Sequence, residues 1–96
     1  MSDNIQECKK IIQKLKNLLL SNEMSLATIM LKENYLLIIN SLMEILKECE
    51  KGNIQGLSIQ MLMNEIKVFM DAYQNEDAVL LTDCIGYEID SIMKAI

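Results

Sequence analysis

Apolar residues recur along this chain at alternating intervals of three and four, the spacing that lines up side chains on one face of an α-helix. Ile5, Cys8, Ile12, Leu15 and Leu19 form the first row, widened by Ile11 and Leu18. Asn4 with Glu7 has the spacing of a capping box, and the row predicts a helix over about 4–21. The polar stretch Ser21-Asn22-Glu23 interrupts it. Tyr35, Ile38, Leu42, Ile45 and Cys49 then carry a second helix over about 25–51, stopped by Gly52, which suits the left-handed position after a helix end. Past a loop over 52–56, Ile59, Leu62, Ile66, Phe69 and Tyr73 predict a third helix over about 57–74 with Ser58 as its N-cap. Gln74-Asn75-Glu76-Asp77 makes a further turn, and its acids suit the positive end of a fourth helix over about 77–95.

No segment alternates with the period of two that a half-buried strand needs, and no Asn-Gly or Asp-Gly hairpin turn occurs. Short connections force consecutive helices to lie antiparallel. The fold class expected is therefore all-α, an up-down antiparallel four-helix bundle, formed by a single domain over 1–96. The helices are not repeats of one another, which argues against a solenoid.

Composition narrows the chemistry. With 96 residues, 11.0 kDa and 51% hydrophobic side chains, the chain holds one core and is too apolar for disorder. It has no His, hence no imidazole base, no Ser-His or Cys-His pair and no histidine metal ligand. It has no Arg, so no guanidinium fork for phosphate or guanine, and 9 Lys face 14 acids for a formal net charge of -5. Direct nucleic-acid binding is not expected. The lack of Arg beside abundant Ile, Lys and Asn also fits an AT-rich coding bias.

Cys8, Cys49 and Cys84 are odd in number, far apart and without C-x-x-C spacing, each beside apolar positions. They read as buried free thiols of a reducing compartment; a three-thiolate zinc site would need all three at one level of the bundle. No metal, cofactor or catalytic residue is expected. The start, Met1-Ser2-Asp3-Asn4, lacks a basic segment followed by an apolar run, so no signal peptide is expected. The densest apolar stretch, Tyr35 to Leu46, contains Asn40, Ser41 and Glu44 and is too short and polar to cross a bilayer. A cytoplasmic protein without membrane attachment is the expectation.

Two kinds of misfit point to function. On a helical wheel, Leu26, Met30 and Leu37 fall opposite the main row of helix two, beside Glu33, Asn40 and Glu44. Met61 and Val68 fall opposite the Ile59-Leu62-Ile66 line of helix three. Either the bundle wraps these helices on two sides, or the residues are singly exposed, or they form a contact face for another helix. The polar misfit is Glu88, near the centre of the arc Leu81, Cys84, Ile85, Ile92, Ala95, Ile96, while Asp83 and Asp90 point away. A carboxylate there must be paired, hydrogen-bonded, protonated or covered by a partner; Tyr35, Tyr73, Asn40, Ser41 or a lysine could answer it. Charge is also uneven, with residues 1–20 at +2 and residues 52–96 at -5. Complementary rims on helices one and four account for it simply.

The run Tyr73 to Ile89, with its Asn75-Glu76-Asp77 turn followed by Asp83 and the pair Tyr87-Glu88, resembles the C-terminal segment of a family of short, acidic, all-helical bacterial proteins of uncharacterised role. The likeness covers about residues 73–92. Gly86 departs from it, where an acidic or apolar helix former is usual. The resemblance implies a helical fold and singles out Tyr87 and Glu88, and it brings no activity.

The function expected from the sequence is a non-enzymatic protein–protein interaction module, an adaptor, chaperone-like protein or homodimeric scaffold. Its partner, another protein or a second copy, would be engaged through Leu26, Met30, Leu37, Met61 and Val68, with Tyr87 and Glu88 as further contacts. The alternative is an acidic inhibitor that occupies a basic groove of a nucleic-acid enzyme with Asp71, Glu76, Asp77, Asp83 and Asp90. A ligand site around Glu88 would need a polar cavity at mid-bundle.

Overall fold

The computed structural model describes residues 2–96, and no strand forms among them. Three regular helices, α1 (Asp3–Leu20), α2 (Met24–Glu50) and α3 (Ile59–Gln74), precede a fourth, α4, that runs through three stretches: α-helical Ala78–Asp83, π-helical Cys84–Ile89 and α-helical Asp90–Lys94. The expected ends fall within two residues of these. Each helix packs on its chain neighbours and α4 closes onto α1, so α1 and α3, like α2 and α4, stand diagonally in a four-helix bundle.

Local chemistry sets the ends. Ser58 Oγ accepts the Met61 N–H at 3.2 Å and Asp77 Oδ1 accepts the Leu80 N–H at 3.1 Å, both N-caps that satisfy otherwise orphaned donors. The first helix corrects its expectation: the cap is Ser2, whose Oγ accepts the Ile5 N–H at 3.3 Å, and Asn4 lies inside the first turn. Ser2 wins because its hydroxyl also donates to Glu44 Oε2 of α2 at 2.7 Å, tying the cap to the neighbouring helix. The first three helices close alike. After α1 the Asn22 and Glu23 N–H groups bond back to Leu19 and Leu18 carbonyls, after α2 Gly52 and Asn53 reach Cys49 and Glu48, and after α3 Glu76 and Asp77 reach Tyr73 and Ala72. This is the paired closure of a Schellman turn, which needs one left-handed residue; Gly52 (φ 81), Asn22 (φ 59) and Glu76 (φ 51) supply it.

The expected rows build the core. Ile5, Ile12 and Leu15 of α1, Ile38, Leu42 and Ile45 of α2, Leu62 and Phe69 of α3 and Ile85 and Ile89 of α4 are shielded from solvent. Tyr35 and Tyr73 close the α2–α3 seam with stacked rings 3.8 Å apart, and Tyr35 also lies 5.6 Å from Phe69. Ile59, expected in the buried row, is exposed where it opens α3. The three thiols are buried on α1, α2 and α4. Burial pushes the thiols of Cys8 and Cys84 up to about 11, against a hydrogen bond with Ser41 in the first case and with added repulsion from Glu65 and nearby acids in the second. Thiolate chemistry is suppressed at such values. No grouping of His, Cys, Asp and Glu able to hold a metal occurs among the described residues, and no helix there is long and apolar enough to cross a membrane.

The π-helical stretch overturns the reading of Glu88. A π turn takes in one more residue than an α turn, so every later side chain is rotated from its place on a regular wheel. Ile89 comes into the arc that Glu88 was expected to centre, Glu88 is exposed, and Asp90, expected to point away, is buried at 6% exposure. Ser41 is likewise unavailable to Glu88, since its hydroxyl donates to the Asn4 carbonyl at 3.2 Å.

A left-handed backbone crowds any side chain with a Cβ. Glu76→Gly is therefore expected to stabilise the protein by about 0.5–1 kcal/mol in urea unfolding, and Gly52→Ala to destabilise it by about 1 kcal/mol. Equal midpoints for Glu76→Gly and the parent chain would show that the turn carries no strain.

Candidate interaction surface

The seven partner residues read from the sequence do not gather into one patch. Leu26 and Met61 are exposed, but each sits near the N-terminus of one of two antiparallel neighbours, α2 and α3, and hence at opposite ends of the pair. Met30, Leu37 and Val68 are half-buried and lean on the core. Tyr87 and Glu88 are exposed on α4, diagonal to α2. The second apolar face of α2 exists, displaced from its expected line.

Its exposed members are Ile29, Leu36 and Met43, seven residues apart in turn, with Leu36 the most open at 71%. Residues so spaced share one side of a helix, here the side away from the buried row Ile38, Leu42, Ile45 and Cys49. On α3 the exposed apolar residues beside this face are Met63 and Met70, again seven apart. Between the two helices runs a groove of about 310 Å³ floored by Leu46 and Ile66 and walled by Met43, Met63 and Met70, with Lys67, Asp71 and Gln74 at its margin. These methionines escaped the sequence reading, although the seven-residue spacing of Met63 and Met70 was a usable signal.

A second concavity, about 420 Å³, opens at the end of the bundle where the α1–α2 turn meets the α3–α4 turn. Leu15, Leu19, Met24, Ala27, Leu31 and Leu81 make it apolar, and Lys32, Gln74 and Glu76 stand at its edge. Glu88 lines neither concavity.

The charged groups divide between a satisfied cluster and an unsatisfied one. Lys16 Nζ of α1 lies 2.8 Å and Lys94 Nζ 3.0 Å from Asp90 Oδ2, and Lys9 Nζ donates to the Ile96 carbonyl at 2.9 Å, so the unequal charge of the two ends of the sequence is used to join α1 to α4. Burial alone would raise the Asp90 carboxyl, but the hydrogen bonds and attraction of Lys16 and Lys94 outweigh it and hold the group below the usual carboxylate value. Glu65 of α3 is the opposite case. Its Oε2 is buried without a hydrogen-bond partner, and burial first, then repulsion from Glu88 across the α3–α4 seam, raises its pKa.

Searches against protein-family models, curated proteins and solved structures return no match, so the geometry alone carries the functional reading.

A lowered pKa in the folded state stabilises the protein above the unfolded-state value, about 3.9 for Asp, and the effect is lost as pH falls through the folded value. Asp90→Asn is thus expected to cost about 1–3 kcal/mol at pH 7, with the deficit constant down to pH 5 and shrinking below about pH 4; a deficit independent of pH would remove the ion pair as its cause. A raised carboxylate acts in reverse. Glu65→Gln is expected to raise the urea midpoint at pH 7 and to lose that advantage below about pH 4, and an unchanged midpoint at pH 7 would show that the buried oxygen costs nothing.

Proposed function

We propose that the protein is a non-enzymatic protein–protein interaction module, serving as an adaptor, chaperone-like protein or scaffold, and that it binds through the outer face of α2 and the adjoining methionine groove. One observation carries this reading: Ile29, Leu36 and Met43 of α2 and Met63 and Met70 of α3, five large exposed apolar side chains, lie along neighbouring sides of the two helices. A single exposed Leu needs no explanation, but five such side chains along one seam cost free energy in water and are a usual mark of a contact surface. Methionine walls suit such a role because the unbranched thioether adapts to differently shaped partners. A helix laid into the groove is the simplest occupant in kind.

The alternative, an acidic inhibitor of a nucleic-acid enzyme, draws less support. Asp90, one of its five proposed acids, is buried and neutralised by Lys16 and Lys94, and Asp71 stands at the margin of the apolar groove. The charge that remains is better placed to keep the bundle soluble than to imitate a row of phosphates. A protein-contact role fits a cytoplasmic setting with reduced, buried thiols.

Leu36→Glu and Met63→Glu place a charge on the strip without disturbing the core, so both variants are expected to fold with parental helix content and to lose partner capture from lysate of the native organism. Val79→Glu, on the exposed start of α4, should capture as the parent chain does. Retained capture by both strip variants would overturn the assignment.

A further inference from the structure

The outer row of α2 has a symmetry that names its partner. Glu33, Leu36, Asn40, Met43 and Lys47 follow one another at intervals of three, four, three and four, a single straight row on a helix. All five are exposed, and the row lies opposite the buried one. From either end it reads charge, apolar, amide, apolar, charge, and the two charges have opposite sign. Glu33 and Lys47 each stand seven residues from Asn40, and Leu36 and Met43 stand four and three from it.

We infer that this face pairs with itself: a second copy of the chain docks on α2 antiparallel, about a two-fold axis at Asn40. The inference rests on the reading of the strip as a contact surface and adds the identity of the occupant. In a two-fold contact each residue meets its counterpart reciprocally. Antiparallel pairing about Asn40 sets Glu33 against the partner's Lys47, Lys47 against the partner's Glu33, and Leu36 against the partner's Met43, so two ion pairs flank two apolar contacts. Asn40 then meets the partner's Asn40, where an amide pair fixes register as a buried Asn does in a coiled coil. The parallel arrangement would place Glu33 on the partner's Glu33 and Lys47 on the partner's Lys47, and like charges oppose it. The row from Ile29 to Lys47 is about 27 Å long at the rise of an α-helix, and Met63 and Met70 beside it widen the contact onto α3.

The test is sedimentation equilibrium of the full chain from micromolar to millimolar concentration, with circular dichroism to confirm that each variant keeps its helices. A dimer is expected, weakened about tenfold by Glu33→Lys alone and by Lys47→Glu alone, since each turns two attractive pairs into two repulsive ones. The double variant Glu33→Lys/Lys47→Glu is expected to recover the parental association to within about threefold, and Leu36→Glu to abolish it. A parent chain that is monomeric throughout overturns the inference, and so does a dimer indifferent to Leu36→Glu. A dimer lost with Leu36→Glu but not rescued by the charge exchange overturns the antiparallel register. If the parent chain is monomeric while Leu36→Glu still loses a foreign partner, self-pairing fails and the contact-surface reading stands; if Leu36→Glu changes neither, both fail.

Discussion

In a four-helix bundle each helix has two neighbours and one diagonal, so one side of every helix is left for water. A single apolar row per helix meets that geometry; α3 exceeds it with Met61, Met63 and Met70, and α2 departs from it furthest. Packed between α1 and α3, it spends Ile38, Leu42, Ile45 and Cys49 on the core and still carries Ile29, Leu36 and Met43 on the side that no helix of the bundle can reach. The hydrophobic effect acts on that outer row as strongly per unit area as on the core, but folding gives it nothing to bury against. The chain therefore carries more apolar helix face than the bundle can cover.

The opposite edge of the molecule meets a related constraint by changing the helix instead of the surface. A regular helix through Cys84 to Ile96 would turn Glu88 into the core and Asp90 out. The π turn at Cys84–Ile89 exchanges them, so that Ile89 enters the core and Asp90 arrives between Lys16 of α1 and Lys94 of its own helix. A buried carboxylate with two ammonium partners replaces one with none, and a buried charge is tolerable only when paired. Glu65 shows what imperfect matching leaves behind, a partly buried carboxylate facing another acid.

What the sequence made legible follows the same line. Helix number, order and ends could be read because they depend on neighbours in the chain: Ser58 and Gly52 do in the structure what their residue types suggest. Ser2 displaced Asn4 as a cap for a reason outside the local sequence, its second hydrogen bond to Glu44. Glu88 and Asp90 were misplaced because a wheel of constant pitch has no means of registering a π turn. An outer apolar face was expected on α2 but drawn too near the α1 side, through Met30 and Leu37, which the core partly covers. On α3 the wheel pointed to Met61 and Val68, whereas the apolar strip beside α2 runs along Met63 and Met70. Which side of a helix stays open depends on where its neighbours stand, and periodicity alone does not carry that.

The kinds of apolar residue used inside and outside differ, and the difference has a physical sense. Ile and Leu make up 15 of the 22 buried hydrophobic residues, with Met93 the one methionine buried among the described residues. Met43, Met61, Met63 and Met70 are exposed. Branched side chains with few rotamers favour one packed arrangement, as a core needs, whereas methionine gives nearly the same apolar area without committing to one shape. On the proposed contact surface, unbranched methionines in a groove beside Glu33, Asn40 and Lys47 would divide the work of recognition. The thioethers would supply area that can be refitted, and the polar residues would decide which orientation of a partner is accepted.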